Sequence, residues 1–95
     1  MSESSTVIRR AYRFAGWVQG VGFRWHASTA AAPLGVPGFV QNDADGTVYM
    51  EAQGSPLALD RLLAAICQGR YIRIERVESK KLPLVPNERS FRVRD

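Results

Sequence analysis

Val18-Gln19-Gly20-Val21-Gly22-Phe23-Arg24 sets two glycines and an arginine between a strand-patterned segment and a helix-patterned one. Upstream, Tyr12, Phe14, Gly16 and Val18 alternate with Ala11, Arg13, Ala15 and Trp17, which predicts a first strand over 8–17 packed on one face. Downstream, Phe23, Ala27, Ala30, Ala31 and Leu34 recur at helical spacing, and Gly35 suits a left-handed stop. A helix over 24–33 is expected, with Pro33 ending it early or tightening its last turn. A strand feeding a helix through a glycine turn brings loop amides, the unpaired N–H groups of a helix start and a guanidinium close together. That is a site for a phosphate.

The remaining segments complete the pattern. Gly38 to Asn42 and Thr47 to Gln53 flank Asp43-Ala44-Asp45-Gly46, a turn-rich tetrapeptide that closes an antiparallel hairpin. Ser55 offers an N-cap oxygen, Pro56 fits the first helical position, and Leu59, Leu62, Leu63 and Ile66 lie on one helical face. A second helix over 56–67 is expected to stop by Gly69. Ile74 and Val77 mark a fourth strand, Pro83 and Pro86 a loop, and Phe91 to Arg94 a short extra C-terminal strand. The order strand, helix, strand, strand, helix, strand predicts an α+β, ferredoxin-like βαββαβ sandwich, two helices covering one face of an antiparallel-dominated sheet.

Composition is compatible with that architecture and narrows the function classes. Ninety-five residues, 45% hydrophobic and 23% charged, make one small globular domain, read as residues 8–95 behind a frayed polar tail over 1–7. The tail has no apolar centre of a secretory signal, and no apolar run reaches the ~20 residues that cross a bilayer, so a cytoplasmic protein without a membrane partner is expected. Cys67 is the single cysteine, which excludes an internal disulfide and a multi-cysteine metal site. The net charge of +4 favours anionic partners without separating nucleic acid from a small phosphate ester.

Arg24 carries five fixed donors and stays protonated at any working pH, so it can grip phosphate through two parallel bonds. Gly20 and Gly22 adopt positive φ or let backbone approach an anion, making the amides of Gln19, Gly20, Val21, Gly22 and Phe23 a phosphate cradle. The glycine pair alone fits a plain strand-to-helix turn equally well. Asn42 can both donate and accept beside the hairpin turn, although by itself it reads first as a turn-starting asparagine. Thr47 reads as a β-former, Asp43 and Asp45 as turn residues, and His26 as a bystander on another face of the helix. Trp17 and Trp25 flank the loop and are expected to pack in the core or at its rim.

The segment Gly16 to Arg24, GWVQGVGFR, followed by Leu34-Gly35-Val36, Gly38-Phe39-Val40-Gln41-Asn42 and Asp45-Gly46-Thr47-Val48, resembles the acylphosphatase family over residues 10–91. The resemblance implies a small monomeric enzyme that hydrolyses acyl phosphates, with Arg24 binding the phosphate, Asn42 positioning water, inorganic phosphate as product, and no metal or organic cofactor. Pro33, Pro37 and Arg70 depart from the usual pattern in connections rather than at these positions. Family members also occur fused to a larger hydrogenase-maturation protein, and this chain reads as the free-standing form.

Two readings from other classes compete. A ferredoxin-like RNA-binding module would carry its glycine-aromatic motif on the third strand, where Thr47 to Gln53 offers only Tyr49, so no nucleic-acid partner is expected. A non-catalytic anion-binding domain would keep the loop without needing Asn42.

Overall fold

The computed structural model describes residues 6–94; of the tail expected over 1–7, positions 1–5 lie outside the described residues, as does Asp95. Its elements run β1 (Ile8–Trp17), α1 (Phe23–Leu34), β2 (Gly38–Asn42), β3 (Val48–Gly54), α2 (Pro56–Cys67), β4 (Arg73–Leu82) and β5 (Phe91–Arg94). The sheet order is β4-β1-β3-β2-β5, antiparallel at every pairing except β2 with β5. Four strands and two helices therefore form the expected ferredoxin-like sandwich, and the short C-terminal strand extends it alongside β2.

The alternation read in β1 decides which face is buried. Tyr12 and Phe14 pair with Met50 and Val48 of β3, and all four are at most 5% exposed. The helices supply the other half of this core through Phe23, Ala27 and Ala31 of α1 and Leu59, Leu62 and Ile66 of α2. Phe14 and Phe23 meet with ring centroids 4.9 Å apart, so the residue opening α1 is pinned to the centre of β1. Truncating either ring to alanine should cost about 3–5 kcal/mol.

Both helix ends follow their local chemistry. Ser55 Oγ accepts from the Ala58 amide at 3.1 Å and Pro56 opens α2, as the sequence predicts. Pro33 neither ends nor shortens α1: it occupies the last turn, where the missing donor interrupts one backbone bond, and Gly35 closes the helix at φ 65°.

At the far end of β1 the ladder shifts register between Ala15 and Gly16. A Cβ on Gly16 would lie 2.3 Å from the Arg73 carbonyl oxygen, so β1 and β4 approach there to a distance only glycine permits. Bulges of this kind re-aim a strand end. Here the re-aimed end is the segment leading into the 18–22 loop.

The sheet face turned away from the helices holds a feature that alternation did not reveal. Arg9 is 2% exposed, beneath the connection between β4 and β5. Its Nε donates to Glu51 Oε1 at 2.9 Å, and its Nη1 donates to Glu88 Oε1 at 2.7 Å and Gln53 Oε1 at 3.1 Å. Gln53 holds the same connection through paired bonds to the Val85 amide and carbonyl.

Candidate active site

Val18, 1% exposed, anchors the start of the loop, and Phe23, 2% exposed, anchors its end. Between them Gly20 and Gly22 stand at φ 76° and 79°, a conformation that side-chain-bearing residues rarely adopt. Gly22 is the N-cap of α1, contributes no side-chain bond, and is followed by no acidic residue in the first turn. The donors of that first turn thus face a site without a capping side chain, which suits an anion. Val21 packs against the core instead.

Gln19 works as a strut. Its carboxamide Nε2 donates to the carbonyls of Asp43 and Thr47, each at 2.8 Å, tying the loop to the β2–β3 hairpin. This contact fixes the loop relative to the end of β2. Asn42 closes that strand, and its pairing with the fully buried Val48 sets it on the helix-covered face.

The result is a pocket of about 300 Å³ lined by Val18, Gly20, Gly22, Phe23, Arg24, Trp25, Asn42 and Val93. Arg24 Nη1 donates to the Arg94 carbonyl at 2.8 Å, which stretches the guanidinium toward the C-terminal strand. Asn42 Oδ1 is buried and has no hydrogen-bond partner among the described residues. A buried acceptor left so costs about 1–3 kcal/mol. The structure therefore groups Arg24, Asn42, Gly20, Gly22 and Phe23 around one space, while Gln19 and Val21 shape it from outside the lining.

The acidic pair beside Asn42 is occupied elsewhere. Arg13 Nη1 donates to Asp43 Oδ2 at 2.6 Å and to Thr47 Oγ1 at 2.9 Å, and Thr47 in turn donates to Asp45 Oδ1 at 2.6 Å. The Arg13 bond, aided by one from Gln41, holds the Asp43 carboxyl below the ordinary range. Thr47 is thus bound into the turn. His26 Nε2 donates to the Ala65 carbonyl at 2.8 Å across the seam between the helices.

Trp17 and Trp25 are 69% and 71% exposed, so neither enters the core and only the rim position remains. Val93 is a wall of the pocket that the sequence did not single out; an apolar residue in a four-residue strand gives no periodic signal strong enough to place it. A wider depression of about 430 Å³ lies over the opposite sheet face around Arg13, Tyr49 and Lys80. It adjoins neither a helix start nor an unpartnered buried polar atom among the described residues, so the smaller pocket is the better candidate.

Comparison with known proteins bears on the family. The chain matches the sequence model of the Acylphosphatase family over residues 10–93. It is 43% identical to an acylphosphatase of Clostridium acetobutylicum over 79 residues, covering 82% of this chain and 87% of that one. Likeness to an acylphosphatase of Bifidobacterium longum is 38% over 96 residues and spans 99% of both. The crystal structure of acylphosphatase from Bacillus subtilis superposes with a TM-score of 0.86 at 25% identity, over 93% of this chain and 99% of that one. With a bulged strand, an uncapped helix start and an orphaned asparagine gathered at one end of a ferredoxin-like sheet, and with these relatives, the chain belongs to the acylphosphatase family.

Proposed function

We propose that this chain hydrolyses the carboxyl–phosphate bond of acyl phosphates, giving a carboxylate and inorganic phosphate, with residues 18–24 as its phosphate-binding loop. The observation that carries the reading is the buried, unpartnered Asn42 Oδ1 in the same pocket as the uncapped start of α1. One group offers donors to an anion; the other needs a donor.

The phosphoryl oxygens sit among the amides of Gln19 to Phe23 with Arg24 alongside. The main-chain donors are set by the loop's own fold before substrate arrives, and the Arg24 guanidinium, held at the pocket edge by the Arg94 carbonyl, turns its remaining donors to the charge that builds on these oxygens. A water donates one hydrogen bond to Asn42 Oδ1 and presents its lone pair to phosphorus in line with the departing carboxylate. Holding the water this way converts a bimolecular encounter into a positioned one. The leaving carboxylate is a weak base and needs no acid to depart, and a phosphoryl oxygen takes the proton of the water. His26, bound to Ala65 in the helix seam, has no step to perform. The enzyme works as a cytoplasmic monomer without metal or organic cofactor.

Two measurements test this. Benzoyl phosphate hydrolysis, run beside retention of single-stranded RNA, should show turnover and no retention; the reverse would overturn the assignment. Titration with orthophosphate should move the amide resonances of residues 19–24, and unmoved resonances at saturation would remove the loop from the reaction.

A further inference from the structure

A second cleft of about 300 Å³ adjoins the phosphate pocket and shares two of its walls, Gly22 and Trp25; on its far side stand Tyr71 and Ile72. Trp25 and Tyr71 are each 71% exposed, an unusual loss of apolar burial for two large rings in a chain this size. The cleft is open on its Gly22 side, where a Cβ would meet nothing within 4 Å, and closed on its Gly69 side, where a Cβ would lie 2.6 Å from Ile72 Cδ1. The Arg70 guanidinium lies over the Tyr71 ring, 5.8 Å from its centroid, and steadies that wall.

The sheet order fixes where this cleft lies relative to Asn42. β2, which ends in Asn42, sits on one side of β1, whereas β4, entered through residues 69–72, sits on the other. The phosphate loop follows β1 and therefore stands between them. In an in-line displacement the leaving group departs opposite the attacking water. With water held at Asn42, the acyl group points away from β2, past Gly22 and Trp25, toward Tyr71.

From this juxtaposition, and resting on the hydrolase reading above, we infer that the cleft between Trp25 and Tyr71 is the acyl subsite and that it selects acyl phosphates with a planar, apolar acyl group over acetyl phosphate. Two rings facing a cleft offer stacking and apolar area to a flat group, and nothing to a methyl too short to reach Tyr71. Trp25 and Tyr71 thus determine specificity, while Arg70 acts through Tyr71.

The test compares kcat/KM for benzoyl phosphate with that for acetyl phosphate, so that the intrinsic reactivities of the two mixed anhydrides cancel between variants. Tyr71→Ala and Trp25→Ala should each lower the benzoyl-to-acetyl ratio by about three- to tenfold. Tyr71→Phe should restore the ratio, and the inhibition constant of inorganic phosphate should move less than twofold in the Tyr71 variants. Both rings are exposed, so thermal midpoints should stay near that of the wild type. A ratio unchanged within twofold in both alanine variants, or equal losses on both substrates, overturns the subsite while leaving the hydrolase intact. A wild-type protein inert on both substrates overturns the hydrolase reading and the subsite with it.

Discussion

At the N-terminal end of β1 the chain surrounds a buried positive group with its own acceptors, whereas at the C-terminal end it assembles donors and leaves an acceptor unmatched. Arg9 meets Glu51, Glu88 and Gln53 within 3.1 Å. Around the start of α1 there is no acidic residue in the first turn, and Asn42 Oδ1 has no partner among the described residues. The two ends belong to one strand, yet one is complete in the folded chain and the other keeps an unmet acceptor, which the proposed function assigns to a bound water. Saturated polar groups hold a fold, and unsaturated ones at a pocket wall mark where chemistry enters.

Arg24→Ala should break the contrast most severely, losing about 10³-fold or more in kcat/KM, in the range of arginines that stabilise a transferring phosphoryl group. Arg24→Lys should also lose phosphate affinity and rate, because an ammonium lacks the fork. Near-normal kcat/KM in the lysine variant would contradict two-bond recognition.

Arg9→Ala should show the opposite signature. Removing one partner strands Glu51 and Glu88 and should lower unfolding free energy by about 3–5 kcal/mol, read from a denaturant midpoint. Turnover per folded molecule should hold, and a selective loss of turnover would dissolve the distinction between the two ends.

Asn42→Ala should keep inorganic phosphate binding and lose about 10²–10³-fold in kcat, by analogy with removing a preorganised polar group from a transition state. Lost phosphate binding would make the residue structural. The smallest effect concerns the hairpin between the two ends. Asp43 titrates below its ordinary value because of Arg13, so its contribution is present above the unfolded pKa and disappears as pH falls through the folded one. The pair is partly exposed, with side chains 36% and 24% accessible, and should be worth less than about 1 kcal/mol. Comparing wild type with Arg13→Gln from pH 6 down to pH 3 should show a stability gap that narrows toward the acidic end; a gap independent of pH would assign the effect to packing.

Most of the scaffold was legible because its signals are local and periodic. Alternation in β1, the Leu59-Leu62-Ile66 stripe and the Ser55-Pro56 start all report burial or capping within one turn or strand. The grouping of Arg24 and Asn42 was legible only through their flanking motifs, since a strand end and a helix start 18 positions apart carry no pairing signal of their own. Arg9 was not legible: alternation sets it beside Arg13 on the outer face, and its carboxylate partners lie 42 and 79 positions away. The sequence offers Gln19 only as one of the cradle amides, and the two carbonyl partners of its side chain become visible only once the hairpin is folded against it. Trp17 and Trp25 show the limit in the other direction, because large apolar residues read as packed unless a cleft has use for them.

The outer strand β4 exposes Arg73, Glu75, Arg76, Glu78, Lys80 and Lys81 along one border of the sheet. A foreign strand seeking to zip onto that border would have to strip water from this ribbon of alternating ions, a penalty that backbone pairing recovers poorly. Fibre growth from the folded protein is accordingly blocked on that side. Conditions that peel the four-residue β5 away from β2 would open the opposite border, and solubility under stress should track the integrity of that short strand.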